Sequence, residues 1–378
     1  MSSPLRIALL GCGQIADAHL QEIRKLPSAR LVAVCDVHQD LADQAAARFE
    51  VPARFTDLQA MIETARPDVV HVTTPAHTHA GLAARILEAG CHVYVEKPFT
   101  LDAVEAARVV GIAQQHGRHL CLGHDQLFDP MWLEVRRRVE RGEIGPVRHV
   151  ESTLGYPISG QFGTQVTGDP NHWVRKLPGG LFQNTISHPL YRITDFLLDE
   201  HPQIQAHWTR TGRFPFPTEL SVFLRGESVT GSLTFLSTIT AQRITKVHGA
   251  KGALEVDFDA QTIRHLAPPR LPGAFGKLDV PFRQWREAAR NFRRNVWRFA
   301  KGDIHYFAGM KTLFERFYGA IQNNTPLPIP PAEMVRVTRL MDEIFDQCRD
   351  RETVPQDPRT TKKPAVRPQE THHPAVLT

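Results

Sequence analysis

The 378-residue sequence predicts two domains: an N-terminal α/β domain built on a doubly wound parallel sheet, and a C-terminal α+β domain with a largely antiparallel, open sheet. Up to about residue 124, strand-like and helical patterns alternate, which is typical of parallel sheets. Beyond about residue 146, strand-like runs follow one another across short turns such as Arg225-Gly226-Glu227, which favours antiparallel pairing. An apolar run that ends in a glycine-rich turn opens the first domain.

The N-terminal domain, predicted over 1–124, contains five short apolar runs separated by helical patterns. Parallel strands that are covered by helices on both faces are buried throughout, so their sequences are continuously apolar. The predicted strands are 5–10, 31–35, 68–73, 91–95 and 119–122, and the predicted helices are 14–25, 39–49, 57–64, 78–89 and 102–116.

The second domain is predicted over 125–330. Its predicted strands are 147–156, 203–210, 217–225, 228–240, 243–249, 252–257 and 261–266, and its predicted helices are 130–141 and 183–198. Helices at 306–323 and 331–348 are expected to return to the first domain, the second within a segment 331–350. The tail 351–378 has five prolines and almost no apolar periodicity, which predicts disorder.

The turn Gly11-x-Gly13-x-x-Ala16 has the spacing of a dinucleotide-binding Rossmann fingerprint. The first glycine permits the sharp bend, the second lets the backbone approach a pyrophosphate, and the small third residue keeps the helix close to the sheet. Asp36 ends the next strand about 20 residues later, where an acid holds a ribose 2′-hydroxyl. These spacings predict a nicotinamide dinucleotide site.

Asp36 also bears on the choice of cofactor, because its carboxylate would repel the 2′-phosphate of NADP. No Arg or Lys follows before Arg48, so the sequence favours NAD over NADP, although His38 softens the discrimination. In an alternative interpretation Asp36 caps the helix that starts near Gln39, and the two roles are compatible.

Composition narrows the function classes. The chain has 45 Lys and Arg against 40 Asp and Glu, and this small excess does not indicate nucleic-acid binding. No apolar run approaches the roughly 20 residues that span a bilayer, and the run before Gly11 is too short for a signal peptide. Five scattered cysteines without a C-x-x-C pair indicate neither a disulfide framework nor a zinc site. A cytoplasmic protein is therefore expected.

Four further segments follow the glycine-rich turn: Val72-Thr73-Thr74-Pro75 with His79, Glu96-Lys97-Pro98, the stretch 123–130 and the stretch 179–188. In this order and spacing, with an antiparallel second domain, they resemble the Gfo/Idh/MocA family, the relatives of glucose-fructose oxidoreductase and inositol dehydrogenase. The resemblance covers 5 to about 257 and, more faintly, 306–348. It implies an NAD(P)-dependent oxidoreductase that moves a hydride between nicotinamide and a secondary hydroxyl or ketone of a sugar, cyclitol or nucleotide-sugar.

The resemblance and the residue chemistry together predict the members of the site. Lys97 and His188 are expected to transfer the proton, and Asn184 is expected to position hydroxyls. Further substrate contacts are expected from Trp173, Arg175, Tyr191 and His124. The residues expected around the cofactor are Gly11, Gly13, Gln14, Ile15, Asp36, Thr74, Pro75, His79, Glu96 and Lys97.

Lys97 follows a predicted strand at its carboxyl end, the edge at which open α/β sheets bind ligands. Glu96 can pair with its ammonium, and Pro98 fixes the local backbone. A lysine beside the positively charged nicotinamide is expected to have a lowered pKa, which suits proton exchange with a hydroxyl near neutral pH. The alternative is a solvated lysine at a strand end.

Asn184 and His188 are four residues apart and would share one face of a helix. The family usually has Asp at the first position, and this chain also departs from the family pattern at Ile186 and Tyr191, where Gly and Asp are usual. Asn binds a hydroxyl but does not accept its proton at neutral pH. The acid–base role then falls to His188 with Lys97, or to Tyr191, which is alternatively a core aromatic.

Two other sets of residues have a competing explanation. Trp173 and Arg175 suit stacking on a sugar and binding of a carboxylate or phosphate, but core packing and a solvated surface explain them equally. His77 and His79 lie two apart at a helix start without a third ligand at a recognisable spacing, so no metal is predicted.

The segment 282–301 combines an aromatic stripe, which includes Phe282, Trp285, Phe292 and Phe299, with seven cations against one acid, a local charge of +6. Such a helix suits peripheral contact with an anionic membrane. The alternatives are packing on its own domain or on a dimer mate. Nucleic-acid binding is not predicted, because no recognition fold accompanies the charge.

Two functions compete with the dehydrogenase. Asn in place of Asp at position 184 favours a non-catalytic NAD-binding or scaffold protein, whereas Lys97 and His188 argue against one. The other is a tightly bound NAD used in a hidden redox cycle. The expected partners are a small sugar-like substrate and further copies of the chain, which would form a dimer or tetramer through the second-domain sheet.

Overall fold

The structure is a computed structural model that describes residues 3–211, 214–302, 304–305 and 307–353. The strands of the first sheet are β1 (Leu5–Leu10), β2 (Ala29–Cys35), β3 (Arg54–Phe55), β4 (Val69–Val72), β5 (His92–Val95) and β6 (Leu120–Leu122). They pair in parallel in the order β3-β2-β1-β4-β5-β6. The strand order reverses beside β1, and open α/β sheets bind ligands at such a switch point.

Five helices connect these strands: α1 (Ala16–Arg24), α2 (Gln39–Phe49), α3 (Leu58–Ala65), α4 (His79–Glu88) and α5 (Ala103–Gln115). The predicted parallel, doubly wound sheet is confirmed. The sequence missed β3, because two partly exposed residues carry no apolar run. The other predicted bounds agree to within two residues.

The second domain contains the helices α6 (Pro130–Glu140), α7 (Gln161–Gly168), α8 (Gly180–Thr185) and α9 (Ser187–Thr194). Its strands are β7 (Val147–Gly155), β8 (Gln203–Thr209), β9 (Glu219–Arg225), β10 (Thr230–Leu236), β11 (Gln242–Gly249), β12 (Gly252–Asp257) and β13 (Thr262–Leu266). They form one sheet in the order β13-β12-β11-β7-β10-β9-β8, in which only the β7–β10 pair is parallel. The largely antiparallel sheet is thus confirmed.

The structure corrects two helix predictions in this domain. The single helix predicted over 183–198 is two short helices that meet at Ile186 and end at Thr194. Helix α7 was not predicted, because its eight residues include two glycines and a weak apolar pattern.

Three further helices complete the chain: α10 (Gly273–Ala300), α11 (Ala308–Asn323) and α12 (Pro331–Thr353). The hydroxyl of Tyr318 in α11 lies 2.8 Å from His71 Nε2 in β4. In α12, Asp342 accepts a hydrogen bond from Ala103 N at the start of α5, and Gln347 donates to Ile204 O in β8. Both helices therefore return to the first domain, and α12 also covers an edge of the second sheet.

The predicted segment boundaries stay predictions, with one adjustment. Because α12 continues to Thr353, the first three residues of the tail predicted to be disordered are helical. The rest of that tail, 354–378, lies outside the described residues.

Helix α10 starts at Gly273, earlier than the predicted start at 282, and continues through Pro281. It packs beside β13 with its polar side: Glu287, Asn291 and Arg298 are buried. The aromatic stripe is exposed, so the stripe does not pack on its own domain. None of the described helices is long and apolar enough to cross a membrane.

Candidate active site

A cavity of about 530 Å³ lies where the carboxyl ends of β1, β4 and β5 face the second domain. This volume is within the usual range for small-molecule and cofactor sites. Of the residues predicted for the site, those that line it are Gly13, Gln14, Ile15, Thr74, Pro75, Glu96, Lys97, Trp173, Asn184 and His188. The other residues that line it are not among the predicted site residues: Thr73, Asp125, Tyr156, Gln165, His172, Phe307 and Met310.

The glycine-rich loop is shaped by close contact with the end of β4. Gly11 has φ of 101°, and a Cβ there would lie 2.8 Å from Thr74 Cγ2 and 2.9 Å from the backbone of Thr73. At Gly13 a Cβ would meet no described heavy atom within 4 Å, so that backbone faces open space. A side chain at position 11 would push the loop away from β4, whereas Gly13 leaves room for a pyrophosphate.

Asp36 ties the glycine-rich loop to the end of β2. Its Oδ2 accepts a hydrogen bond of 2.7 Å from Cys12 N, and its Oδ1 accepts one of 2.9 Å from His38 N. The N-cap residue of α2 is His38, so the alternative role of Asp36 as the cap of that helix does not describe the structure. Asp36 does not line the 530 Å³ cavity. Each carboxylate oxygen can accept a second hydrogen bond, so contact with a ribose stays a prediction.

Lys97 is one of the residues that line the cavity. Its Nζ donates a hydrogen bond of 3.1 Å to Asn184 O, and its backbone N donates one of 3.1 Å to Glu96 Oε2. Burial lowers the pKa of Lys97, while the negative charges of Glu96 and Asp125 oppose that shift. Lys97 is therefore not the solvated lysine of the alternative interpretation, and its setting suits reversible proton exchange.

A buried chain of polar side chains supports Glu96. Its Oε1 lies 2.9 Å from His19 Nε2, His19 Nδ1 lies 2.9 Å from His71 Nδ1, and His71 Nε2 lies 2.8 Å from the Tyr318 hydroxyl. Burial, the largest single influence, raises the pKa of Glu96, but the hydrogen bond and charge of His19 together with the charge and backbone N–H of Lys97 outweigh it, so the pKa is lowered. Glu96 thus stays ionised beside Lys97. No sequence pattern indicates this series of hydrogen bonds, because its members are far apart in sequence.

His79 lies behind the cavity rather than in it. Its Nδ1 is 2.9 Å from Pro98 O and its Nε2 is 2.7 Å from Thr74 O, so the ring joins the loop after β4 to the loop after β5. Thr74 and Pro75 line the cavity as expected. Within the described part of the chain, no group of three or more His, Cys, Asp and Glu residues is placed to hold a metal.

Asn184 and His188 reach the cavity from two helices. Within 181–194 they are the two residues that are not fully buried, and both line the cavity although the chain breaks its helix at Ile186 between them. Burial, and then the charge of Lys97, lowers the pKa of His188 well below its usual value, so the ring is neutral. Its Nδ1 lies 2.7 Å from the hydroxyl of Tyr191, which is fully buried and orients the imidazole from behind.

Asp125 is an acid of the site that sequence reasoning passed over. It opens the short helical turn Asp125–Phe128, and α11 clamps this turn so closely that a Cβ on Gly309 would collide with Asp125 O. Burial raises the pKa of Asp125 to about 7, and the charge of Glu96 adds to this shift while Lys97 opposes it. Asp125 adjoins His124, the residue of the stretch 123–130 for which the sequence predicts a substrate contact.

The remaining predicted substrate contacts are divided between the cavity and its surroundings. Trp173 lines the cavity and stacks on His172 with ring centroids 5.8 Å apart. The Arg175 guanidinium lies 5.3 Å from the ring centroid of Phe216, and Arg175 does not line the cavity. His124 is buried against Tyr191, and burial lowers its pKa to about 3. Of these side chains, Trp173 is the one placed to touch a substrate.

Three features define a two-domain dinucleotide-binding oxidoreductase fold: a fingerprint loop at the switch point of a parallel sheet, a lysine at the end of β5, and a second domain that closes the cavity. Residues 5–124 match the family described as "Oxidoreductase family, NAD-binding Rossmann fold", and residues 132–255 match the "GFO/IDH/MocA C-terminal domain". The chain belongs to the Gfo/Idh/MocA family, and its first domain is the family's NAD-binding Rossmann domain.

Curated relatives are similar over part of the chain. It is 31% identical over 198 residues to an inositol 2-dehydrogenase from Rhizobium meliloti, which covers 52% of this chain and 56% of that protein. It is 34% identical over 147 residues to a D-glucoside 3-dehydrogenase from Escherichia coli, which covers 39% of this chain and 42% of that protein. The chain thus spans about half the length of these relatives.

Solved structures show the same fold over nearly the whole chain. The WlbA dehydrogenase from Bordetella pertussis, crystallised with NADH and UDP-GlcNAcA, has a TM-score of 0.72 at 19% identity and covers 92% of this chain and 97% of its own. A UDP-N-acetylglucosamine 3-dehydrogenase from Acidithiobacillus ferrooxidans has a TM-score of 0.70 at 18% identity, with 92% and 99% covered. At these identities the likeness concerns the fold.

Proposed function

We propose that the protein is an NAD-dependent dehydrogenase that acts on a secondary hydroxyl or ketone of a sugar, cyclitol or nucleotide-sugar. The observation that carries the proposal is the convergence of Lys97, Asp125, Asn184 and His188 on one cavity that the glycine-rich loop also enters. The inositol and glucoside dehydrogenases among the relatives support this substrate class.

The chain's residues fit NAD, because Gly13 leaves the loop open and Gln14, Ile15, Thr74 and Pro75 line the same cavity. Bound NAD supplies a nicotinamide carbon that accepts the hydride. Lys97, in its neutral form, accepts the proton of the reacting hydroxyl, and its hydrogen bond to Asn184 O fixes the direction of its Nζ.

Asp125 takes over the acid–base role of the carboxylate that the family usually has at position 184. A carboxyl with a pKa of about 7 exchanges protons at neutral pH, and it interacts electrostatically with Lys97. Asn184 and neutral His188 then hold the substrate hydroxyls, with His188 oriented by Tyr191.

The reaction is tested by incubating the protein and NAD with a panel of sugars, cyclitols and nucleotide-sugars and following NADH formation. Substrate-dependent NADH supports the proposal. A protein that binds NAD but reduces none of it with any substrate would instead be the non-catalytic NAD-binding protein. If NADH remains bound and is reoxidised by a second sugar, the tightly bound cofactor of a hidden redox cycle explains the result.

We expect NAD to bind at least tenfold more tightly than NADP, about 1.4 kcal/mol, because a 2′-phosphate would approach the Asp36 carboxylate. Calorimetric titration with both cofactors measures the ratio. Asp36→Asn is expected to reduce the ratio of the NADP to the NAD dissociation constants. Asp40 is an exposed acid in the first turn of α2, and Asp40→Asn is expected to leave this ratio unchanged. Tighter binding of NADP by the unmodified protein would contradict the assignment of Asp36 to the ribose.

We also propose a cytoplasmic homodimer or tetramer that forms through the second-domain sheet. Strands β8, β9 and β10 alternate buried and accessible residues, so one face of the sheet is packed and the other is open. Phe223 lies on the open face and is 40% exposed. Phe223→Glu is expected to reduce the mass measured by light scattering, while Val104→Glu, at an exposed apolar position of the first domain, is not. An unmodified protein that is monomeric at all concentrations would rule out this assembly.

A further inference from the structure

Helix α10 concentrates the exposed apolar surface of the molecule. Among the described residues, thirteen large hydrophobic side chains are exposed, and eight of them are on this one helix. These eight, which we call the outward apolar face, are Phe275, Leu278, Phe282, Trp285, Phe292, Val296, Trp297 and Phe299, each 50% to 78% exposed. Contiguous apolar surface of this kind marks a binding site rather than ordinary surface.

The opposite side of α10 is polar and bonded to the protein. Glu287 accepts a hydrogen bond of 2.8 Å from Arg138 Nη1, and Asn291 donates one of 2.8 Å to Ile263 O. Arg298 donates one of 2.7 Å to Gln261 Oε1. Rotating the helix to bury its aromatic side chains would leave these buried polar groups unpaired, which is unfavourable. The outward apolar face is therefore fixed by the structure.

Cations border the outward apolar face. At about 100° per residue, Arg286, Arg290 and Arg293 lie along one flank of it, and all three are exposed. The two acids of the helix, Asp279 and Glu287, are engaged elsewhere: Asp279 accepts a hydrogen bond from Arg270 N, and Glu287 faces inward. Asp279 lies on the same flank by this spacing, but it also pairs with Arg283 at 3.1 Å, so the outward side of the helix presents apolar groups and an excess of positive charge.

A polar cavity of about 260 Å³ opens beside this flank. Arg270, Arg283, Arg286 and Arg290 line it together with His265. Its remaining lining residues are Arg138, Glu143 and Glu287. Arg283 Nε is buried and has no hydrogen-bond partner among the described residues, whereas His265 directs Nδ1 at Glu143 Oε1, 3.1 Å away. A buried guanidinium N–H without a partner, in a cavity with five arginines and two acids, suits a phosphate group.

We propose that α10 docks the protein on the surface of an anionic phospholipid bilayer. The outward apolar face inserts among the acyl chains, the flanking arginines contact the headgroups, and the arginine-lined cavity receives a lipid phosphate. This proposal goes beyond the proposed reaction, because it assigns a surface that lies outside the active-site cavity.

Charge decides between this occupant and a second copy of the chain. Two copies that paired through the outward apolar face would bring the same flanking arginines into one interface, and like charges that face each other there are unfavourable. An anionic bilayer complements both parts of the surface at once. Attraction to such a surface is screened over about 8 Å at physiological ionic strength, so binding should weaken as salt rises.

The proposal is tested by co-sedimenting the full chain with vesicles of phosphatidylcholine alone and with vesicles that contain phosphatidylglycerol. At low salt we expect sedimentation with the phosphatidylglycerol vesicles and not with phosphatidylcholine, and we expect its loss at high salt. The double variant Trp285→Ser/Phe292→Ser should reduce the bound fraction at least tenfold. Leu198→Ser, an exposed apolar residue distant in sequence from α10, is the matched control and should bind like the unmodified protein.

The role of charge is tested by Arg286→Glu/Arg290→Glu, which is expected to abolish binding to the vesicles. The role of the cavity is tested by added inorganic phosphate, which competes with the lipid phosphate for the cavity but does not shield the apolar face. NAD binding and substrate turnover of each variant, which should be unchanged, show that the protein is folded and test the reaction independently. Protein that stays in the supernatant at low salt overturns the proposal. The proposal is also overturned if Trp285→Ser/Phe292→Ser binds vesicles normally but changes the oligomeric mass, which would assign the face to a second copy. It is likewise overturned if this double variant binds vesicles normally but loses binding to RNA.

Discussion

Lys97→Ala is expected to lower turnover by about 10²- to 10⁴-fold while NAD binding stays nearly unchanged. This is the usual contribution of a positioned proton acceptor. The Lys97 side chain is directed to Asn184 O, and no hydrogen bond links its Nζ to the glycine-rich loop that is expected to hold the cofactor. The variant is measured by steady-state NADH formation with the substrate found in the panel, and by calorimetric titration with NAD.

Lys176→Ala is the matched control, because Lys176 is exposed and does not line the cavity. It should retain the turnover of the unmodified protein. Lys97→Arg tests the proton directly: it keeps the positive charge, but a guanidinium does not lose its proton in this pH range, so it should be nearly as slow as Lys97→Ala. Normal turnover in either Lys97 variant would show that another group accepts the proton.

The buried chain behind Glu96 explains why Lys97 can serve in this role. A lysine that is merely desolvated would lose its proton permanently near neutral pH, whereas ionised Glu96 and Asp125 favour the ammonium form. The charge of Glu96 is in turn stabilised by its hydrogen bond with His19. The balance between burial and two carboxylates is what allows Lys97 both to take and to return a proton.

The local parts of this site could be predicted from sequence. The Gly11-x-Gly13 loop, Thr74 and Lys97 each follow a strand directly, and the carboxyl ends of parallel strands meet at one edge of a sheet. The fold class followed from the same periodicities. Asp125 could not be placed in this way, because its position depends on α11, whose Gly309 contacts a turn far away in sequence.

The orientation of α10 shows a second limit of sequence reasoning. Apolar periodicity finds a stripe on a helix but does not say whether the stripe faces the protein or the solvent. Here the polar side faces inward, because Glu287 bonds to Arg138 in α6 and Asn291 bonds to Ile263 in β13. Such partners come from tertiary packing, and no pattern within 282–301 indicates them.

Asp125→Asn is expected to remove the rise of the oxidation rate with pH near 7 and to lower the rate at pH 8 by about 10²-fold, the lower end of the usual contribution of an acid–base group. The pKa of Asp125 is raised to about 7, so the carboxylate that accepts a proton is present above that pH and is lost below it. Adding Asn184→Asp to this variant restores a carboxylate to the same cavity and should recover most of the rate. If Asp125→Asn keeps the pH profile of the unmodified protein, Asp125 holds no catalytic proton.

Stability should change in the opposite direction to activity. A carboxyl whose pKa is raised on folding binds its proton more tightly in the folded state, so its ionisation costs stability as the pH rises towards 7. Asp125→Asn removes that cost, and we expect a higher Tm than the unmodified protein at pH 8 and no difference at pH 4. Asp342 is the matched control: burial also raises its pKa, to about 6, but it lies on α12 and does not line the cavity. Asp342→Asn should change the pH dependence of Tm and leave the pH profile of turnover intact, because of these two acids only Asp125 lines the cavity where the proposed proton exchange takes place.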